Sequence, residues 1–287
     1  MNISLFGTGL MGAPMAIKLY ESGHRVTAYN RTASKLEPLA AMGISTTSDP
    51  IEALQASDCL MVMVTDKGAI SSLLLMDETL PYLADKTIIQ MGTIAPTHSR
   101  ELHQKVLAAG GDYLEAPVLG SIPQVKDGSL ILMVGATPKQ FQTWEPLLKC
   151  FGPEPMLIGE VGTAATAKLA MNQLIGSLTT AFALSLGFAQ KQGLDVDILM
   201  SIVRQSALYA PTFDKKLQRM CDRNFSKPNF PSKHLLKDMT LFADEANQCG
   251  LDARLAETVS QVVQQAINKG LADKDYSALF EAISPMD

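Results

Sequence analysis

A glycine-rich turn close to the first residue constrains the fold of this chain more than any other feature. The segment "LFGTGLMGAPMA" follows the β-forming run "ISLF" and precedes a helical stretch. In a Gly-x-Gly-x-x-Gly turn, the first glycine permits the tight turn and the second lets the backbone approach a pyrophosphate, while the third lets helix pack closely on strand. The pattern predicts a dinucleotide-binding site that includes Gly7, Gly9, Leu10, Met11 and Gly12.

The composition excludes several classes of protein. With 287 residues the chain can form two domains with cores of their own. Its net charge of −5 argues against a nucleic-acid binder, for which a basic face is expected. Four widely spaced cysteines, none in a Cys-x-x-Cys pair, indicate reduced thiols, and the scattered histidines predict no metal site. The first predicted strand starts almost at Met1, so we expect no signal peptide and a cytoplasmic protein.

One segment of the chain is long enough to span a membrane. Residues 169–190 carry no charge over 22 positions. They include several polar side chains, however, and lack a basic flank biased to one side. We therefore expect a helix buried in a protein core or in a subunit interface, with no membrane as partner.

Strands and helices alternate in the first half of the chain. The predicted strands are residues 3–6, 26–29, 60–64, 87–90, 113–115 and 130–134. The predicted helices lie near residues 11–22, 33–42, 67–75, 96–109 and 138–148. This alternation predicts an α/β Rossmann domain, which is a doubly wound and mostly parallel sheet. The run "CLMVMV" is apolar throughout, as expected of a central strand covered on both faces.

The second half of the chain shows only helical patterns. A long helix near residues 163–192 precedes helices near 195–205, 212–222, 232–248, 253–269 and 277–282. We therefore predict a Rossmann domain of residues 1–160 and an all-α C-terminal domain of residues 161–287, joined by the long helix.

The end of the second strand indicates which cofactor is bound. An acidic residue there would bond the ribose 2′-hydroxyl of NAD, whereas this chain has "YNRT" and no carboxylate. A guanidinium suits the 2′-phosphate of NADP. We predict NADP(H), with Asn30, Arg31 and Thr32 around the phosphate and Lys35 as a further contact.

Five motifs in order resemble the β-hydroxyacid dehydrogenase family over essentially the whole chain. They are "GTGLMGAPMA" at 7–16, "QMGT" at 90–93, "APVLGS" at 116–121, "GTAATAKLAMN" at 162–172 and "FPSKHLLKD" at 230–238. Among the branches of this family, the "NRT" and Phe-Pro-x-Lys-His segments are most similar to plant-type glyoxylate and succinic semialdehyde reductases.

Lys168 and Asn172 are the predicted catalytic residues. They are four positions apart on the long helix and therefore share one face. A lysine at the edge of an uncharged helix is partly desolvated, which lowers its pKa and suits a general acid that protonates an alkoxide. Asn172 would hold the substrate or orient Lys168, and the resemblance implies the same roles.

The resemblance implies the remaining site residues. Cofactor contacts are expected of Val64, Thr65, Thr93 and Lys237. Substrate contacts are expected of Thr93, Leu119, Gly120, Ser121, Lys168, Asn172, Phe230 and Asp238. Gly120 and Ser121 would offer N–H groups and a hydroxyl to a substrate carboxylate, and Phe230 would either wall the pocket or pack in the core. Two positions depart from the family pattern, because Gly92 replaces a hydroxyl residue and Leu119 replaces a serine.

The sequence therefore predicts an NADPH-dependent reductase of small aldehyde acids. Its expected reactions are glyoxylate to glycolate and succinic semialdehyde to 4-hydroxybutyrate, with Lys168 as general acid. The alternatives are a 3-hydroxyisobutyrate or tartronate semialdehyde enzyme and a non-catalytic NADP-binding scaffold. An imine reductase is less well supported, because those enzymes typically lack the lysine. We expect a homodimer or homotetramer formed through the C-terminal helical domain.

Overall fold

The computed structural model describes residues 1–285 of the chain. These residues form two compact units, one of Met1–Lys168 and one that starts at Leu169. The first unit has a mostly parallel sheet with helices, and the second is helical. This architecture confirms the predicted fold class, a Rossmann domain followed by an all-α domain.

The first unit is built on nine strands. They are β1 (Asn2–Phe6), β2 (Arg25–Tyr29), β3 (Ser45–Thr47), β4 (Cys59–Val62), β5 (Thr87–Gln90), β6 (Asp112–Glu115), β7 (Val118–Leu119), β8 (Ile131–Gly135) and β9 (Met156–Gly159). Their order is β3-β2-β1-β4-β5-β6-β8-β7, with β9 paired to β8. The strands from β3 to β6 run parallel, whereas β8 is antiparallel to β6 and β7. The strand order reverses between β1 and β4, and ligands of open α/β sheets bind outside the carboxyl ends of the strands at such a point.

Eight helices begin in the first unit. They are α1 (Gly12–Glu21), α2 (Glu37–Ala40), α3 (Pro50–Gln55), α4 (Lys67–Leu74), α5 (Pro96–Ala108), α6 (Ile122–Asp127), α7 (Pro138–Leu148) and α8 (Thr163–Lys191). Strands β3, β7 and β9 and helices α3 and α6 were not predicted, because elements of two to six residues give no clear periodic pattern. The helix predicted over 33–42 is wrong in part: a 3₁₀ turn at Ala33–Lys35 precedes α2.

The sheet is covered on both faces by apolar side chains. Along β4, Cys59 and Met61 belong to one buried cluster, and Leu60 and Val62 belong to another. All four are at most 1% exposed. Alternate residues of a strand point to opposite faces, so burial of all four explains why "CLMVMV" has no polar position.

The second unit contains most of α8 and five further helices. These are α9 (Val196–Gln205), α10 (Pro211–Cys221), α11 (Ser232–Gln248), α12 (Arg254–Ala266) and α13 (Phe280–Ile283). The helix predicted over 253–269 is shorter than expected, because Gly270 takes a φ of +83° within a π-helical turn at Ile267–Leu271. The helix predicted over 277–282 is a 3₁₀ turn at Tyr276–Leu279 followed by α13.

Helix α8 is long and apolar enough to cross a membrane by length and composition. Within its most apolar stretch, 39% of the residues are buried in the protein. Core helices of soluble proteins meet the same criterion, so this feature alone is weak evidence for a membrane span.

Candidate active site

The turn after β1 gives each of its three glycines a different environment. Gly7 has a φ of +100°, and a Cβ atom placed on it would lie 2.5 Å from the carbonyl oxygen of Met63. A Cβ on Gly12 would lie 1.8 Å from the carbonyl oxygen of Gly7, so no side chain fits between α1 and this turn. A Cβ on Gly9, by contrast, would meet no atom within 4 Å. The turn is thus tight at the first glycine, open at the second and closely packed at the third, as dinucleotide binding requires.

The N-terminus of α1 fits a pyrophosphate group. The side chain of Met11, which precedes α1, makes no capping hydrogen bond. In this first turn the N–H of Ala13 donates to the carbonyl oxygen of Gly9 at 3.1 Å and Pro14 has no N–H, while the dipole of the helix favours an anion at this end. Exposed Leu10 and half-buried Met11 lie in the turn that leads to this N-terminus. Their contact with a cofactor stays a prediction.

Asn30 connects the loop after β2 to the turn after β1. Its Nδ2 donates to Oγ1 of buried Thr8 at 2.9 Å, and its Oδ1 accepts from the N–H of Thr32 at 2.9 Å. Arg31 and Lys35 are exposed beside it. Both ends of the Asn30 amide therefore shape the loop, and Nδ2 keeps a second N–H. Contact of Asn30, Arg31, Thr32 and Lys35 with a phosphate stays a prediction.

The turns after β4 and β5 pack against each other at the same edge of the sheet. The side-chain amide of Gln90 accepts from the N–H of Gly92 and donates to its carbonyl oxygen, both at 3.1 Å. A Cβ on Gly92 would lie 2.5 Å from the carbonyl oxygen of Val64. This close approach leaves no room for a side chain at position 92 of this chain. Half-buried Thr93 and exposed Thr65 lie at the same edge.

The third motif runs through β7 into α6. Half-buried Leu119 pairs with Ile131 on β8. Gly120 has a φ of +128°, a conformation that favours glycine. The N–H and the hydroxyl of Ser121 both donate to Oε1 of Gln124 at 2.9 Å. Both Ser121 donors predicted to bind a substrate carboxylate are therefore engaged by Gln124 here, and a carboxylate would have to replace that amide oxygen. The predicted contact with the N–H of Gly120 stays a prediction.

Glu115 is a buried carboxylate that is not among the residues predicted from the sequence. It ends β6, is 1% exposed, and its Oε1 accepts from the N–H groups of Gly162, Ala164 and Ala165 at 2.7, 2.8 and 3.1 Å. Its Oε2 accepts from the hydroxyl of Ser99. Burial raises the pKa of Glu115, while these hydrogen bonds act in the opposite direction. The signal in the sequence was an acid directly before "APVLGS", at the end of an otherwise buried strand.

Lys168 and Asn172 lie one turn apart on α8. Lys168 is half-buried, and Asn172 is 2% exposed. Nδ2 of Asn172 donates to Oδ2 of buried Asp238 on α11 at 2.6 Å. Nζ of Lys237 lies 2.9 Å from Oδ1 of Asp238. The structure thus brings together three of the predicted residues of the helical unit, Asn172, Lys237 and Asp238, around one buried carboxylate.

Phe230 is held by packing within the helical unit. Its ring meets the edge of the Tyr276 ring at 5.6 Å and stacks on His234 at 6.5 Å, between centroids. Burial lowers the pKa of His234. Nζ of Lys216 lies 4.2 Å from the Tyr276 ring centroid and pairs with buried Asp275 at 2.8 Å. The core role of Phe230 has this packing in its favour, and its role as a pocket wall stays a prediction.

The donor set of the described chain does not suit a metal. Within residues 1–285, no three His, Cys, Asp or Glu side chains are grouped as metal ligands would be. Cys59, Cys150, Cys221 and Cys249 are free thiols. The polar groups described above instead suit an organic cofactor with phosphates and a small polar substrate.

Comparison with known proteins identifies the family of both halves. Residues 2–161 match the family model described as the NAD binding domain of 6-phosphogluconate dehydrogenase. Residues 162–283 match the model described as NAD-binding of NADP-dependent 3-hydroxyisobutyrate dehydrogenase.

Two similar proteins align with nearly the whole chain. Glyoxylate/succinic semialdehyde reductase 2, chloroplastic, of Arabidopsis thaliana is 32% identical over 285 residues, which are 99% of this chain and 79% of that protein. The 2-hydroxy-3-oxopropionate reductase of Escherichia coli (strain K12) is 31% identical over 291 residues, covering 100% of this chain and 98% of that protein. The structure of Mycobacterium tuberculosis 3-hydroxyisobutyrate dehydrogenase with L-serine has a TM-score of 0.88 at 23% identity and covers 99% of each chain, a likeness that bears on the fold alone.

Three observations indicate the same family. They are the glycine turn where the strand order reverses, the order of the five motifs and these matches. The chain belongs to the 3-hydroxyisobutyrate dehydrogenase-like (β-hydroxyacid dehydrogenase) family and is an NAD(P)-dependent oxidoreductase that acts on CH–OH groups of hydroxy acids.

Proposed function

We propose that this protein is an NADPH-dependent reductase of small aldehyde acids, with glyoxylate and succinic semialdehyde as its first substrates. One observation carries the proposal. Buried Asn172 follows Lys168 by one turn on the same face of α8, and a hydrogen bond to Asp238 of α11 fixes the Asn172 amide. A lysine and an oriented amide are the groups needed to bind and protonate a carbonyl oxygen.

The chemistry assigned to the chain is a proton transfer. The reduced nicotinamide, when bound, supplies the hydride that reaches the aldehyde carbon. The ammonium of Lys168 gives its proton to the carbonyl oxygen as negative charge develops there, which yields the hydroxyl of the product. Asn172 donates to Asp238, so the orientation of its amide is set before substrate binds. Lys237 lies beside the same carboxylate and balances its charge.

The preference for aldehyde acids can be tested by following NADPH oxidation. The panel should contain glyoxylate, succinic semialdehyde and tartronate semialdehyde, with acetaldehyde and butyraldehyde as analogues that lack a carboxylate. We expect the acids to have the higher kcat/KM. Preference for tartronate semialdehyde would favour the alternative substrate, for which the similarity to the Escherichia coli 2-hydroxy-3-oxopropionate reductase speaks. Tight NADPH binding with no oxidation by any of these aldehydes would favour a non-catalytic scaffold.

Leu119 is expected to shift the choice between the two substrates. Leucine offers apolar surface where the family pattern has a hydroxyl, so a polar group of the substrate is desolvated without a partner. We expect Leu119→Ser to lower KM for glyoxylate by up to about tenfold, for one recovered hydrogen bond of about 0.5–1.5 kcal/mol. The gain should be smaller for succinic semialdehyde, whose aliphatic segment suits leucine. Measurements of kcat/KM for both substrates in both proteins test this.

An exposed isoleucine two strands away provides the control. Ile158 on β9 is 38% exposed, and β8 lies between this strand and β7. Ile158→Ser introduces the same hydroxyl away from Leu119 and should leave the ratio of the two kcat/KM values unchanged. An unchanged ratio in Leu119→Ser as well would mean that Leu119 does not contact substrate.

We further propose that the helical unit mediates self-association, in the cytoplasm as expected from the sequence. Large apolar side chains of α8 and α9 are exposed in the single chain: Leu174, Leu184, Phe188, Ile198 and Ile202 are 48–67% exposed. Apolar side chains exposed in this number mark an interface rather than a solvated surface.

Light scattering coupled to gel filtration tests the oligomer. We expect a dimer or tetramer for the natural chain and a smaller species for Phe188→Glu, because an introduced charge cannot be buried without a partner. Leu107→Glu alters a similarly exposed side chain of α5 and should leave the mass unchanged. A natural chain that elutes as a monomer would contradict the proposal.

A further inference from the structure

The carboxylate of Glu115 joins three segments of the first unit. One oxygen accepts from the amides of Gly162, Ala164 and Ala165 at the start of α8. The other accepts from Ser99 on α5, whose hydroxyl lies 2.9 Å from the Tyr113 hydroxyl. Glu115 itself ends β6. A single side chain therefore connects β6, α5 and α8.

Each of these three segments carries a candidate site residue a few positions away. Thr93 lies three residues before α5, Leu119 lies four residues after Glu115, and Lys168 lies three residues after Ala165 on α8. The first turn of a helix fixes the position of the next turn, since the helix is hydrogen-bonded throughout. Any displacement of the α8 N-terminus is therefore passed on to Lys168.

The surroundings of Glu115 are built around its carboxylate. Gly135 faces it across the β6–β8 pair, and a Cβ at this position would lie 2.4 Å from Oε1. Burial of a carboxylate is costly unless hydrogen bonds compensate for the lost water, and here four donors do so. An apolar side chain at position 115 would leave the three α8 amides without their acceptor. The length of the glutamate side chain thus sets how far the start of α8 lies from the end of β6.

We propose that Glu115 is a positioning residue, which fixes Lys168 for proton transfer by holding the first turn of α8 against the end of β6. The inference rests on the proposed role of Lys168 as general acid. Beyond that role, the length of the Glu115 side chain sets the position of the α8 amides that it binds, and through them the turnover number kcat.

Two substitutions distinguish the effect of side-chain length at position 115 from the effect of having a hydrogen-bond acceptor there. Glu115→Asp keeps the charge but shortens the side chain by one methylene group, so the three amides can be bound only if α8 moves. We expect kcat to fall about 10- to 100-fold, as for a catalytic group misplaced by about 1 Å, with an unchanged Kd for NADPH. Glu115→Gln keeps both the length and an acceptor oxygen and should retain kcat within about threefold, since the geometry is kept. Wild-type kcat in Glu115→Asp, or an equal loss in Glu115→Gln, would overturn the proposal.

A third variant acts on the same carboxylate without changing Glu115. Gly135→Ala places a methyl group 2.4 Å from Oε1 and must displace it. We expect a loss of kcat like that of Glu115→Asp, and this variant serves as the test if Glu115→Asp fails to fold. Assays are run well below the melting temperature of each variant. A folded Gly135→Ala protein with wild-type kcat would contradict the proposal.

A double-mutant cycle distinguishes this inference from the proposed function. In a Lys168→Ala background, Glu115→Asp should lower kcat no further, because the group that it positions is gone. A second loss of full size would assign Glu115 to general stability and overturn the inference. Near-normal turnover of Lys168→Ala alone would instead exclude the proposed role of Lys168 as general acid. Hydrogen exchange of the Ala164 and Ala165 amides then still tests whether Glu115 holds the start of α8. If it does, both amides exchange faster in Glu115→Asp than in the natural chain.

Discussion

Replacing Lys168 by alanine is expected to lower kcat about 10²- to 10⁴-fold, the range found when a positioned proton donor is removed. The affinity for NADPH should change little, because the proposed role of the ammonium is toward the carbonyl oxygen rather than the phosphates. Steady-state kinetics with glyoxylate and a fluorescence titration with NADPH measure the two effects separately.

The last residue of the same helix supplies the control. Lys191 ends α8 and is exposed, so Lys191→Ala removes the same side chain from the same helix without touching the proposed site. It should leave kcat and KM unchanged. A Lys168→Ala protein whose turnover stays within a small factor of this control would exclude Lys168 as the proton donor.

The sheet of the first unit could be predicted from sequence because its central strands are buried on both faces. The residues of β4 leave no polar position on either side, and that pattern is typical of parallel sheets. Edge elements could not be predicted in this way. Strands β3 and β7 have three and two residues, too few for a period to appear. Their positions follow from tertiary pairing with β2 and β8 rather than from local sequence.

The glycine turn was interpretable because each glycine has a separate steric reason. Gly92 shows the limit of the same reasoning. In the family pattern this position carries a hydroxyl residue, but in this structure the carbonyl oxygen of Val64 leaves no room for a Cβ at Gly92. The constraint comes from the turn after β4, 28 positions earlier in the sequence, so the local pattern could not reveal it.

Partners of the proposed catalytic residues also depend on distant segments. The spacing of Lys168 and Asn172 predicts a shared helix face, but the buried acceptor of the Asn172 amide is 66 positions away on α11. Glu115 likewise meets α8 amides 47 to 50 positions further along. A sequence indicates which residues carry chemistry more readily than which residues hold them in place, because the holding contacts are made across the fold.

Cofactor preference is expected to follow Arg31. The loop that carries it is shaped by Asn30, whose amide binds Thr8 and Thr32 at 2.9 Å each, and this leaves the exposed guanidinium to face a phosphate. A charge-assisted contact with a phosphate is worth about 1.5–3 kcal/mol, which is about 10- to 150-fold in affinity. Arg31→Ala should therefore raise the Kd of NADPH by that factor and leave the Kd of NADH nearly unchanged, since NADH has no 2′-phosphate.

An arginine at the opposite end of β2 serves as the control, which distinguishes a specific contact of Arg31 from the general effect of a positive charge. Arg25 begins β2, is exposed, and lies at the amino end of the strand, away from the carboxyl edge where ligands of such sheets bind. Arg25→Ala removes the same charge and should not alter the ratio of the two Kd values at physiological ionic strength, where screening limits the reach of an exposed charge to about 8 Å. Equal weakening of NADPH and NADH in Arg31→Ala would mean that this arginine supports the loop itself. The preference for NADPH would then have to come from Asn30, Thr32 and Lys35, the other residues of the loop predicted to contact the 2′-phosphate.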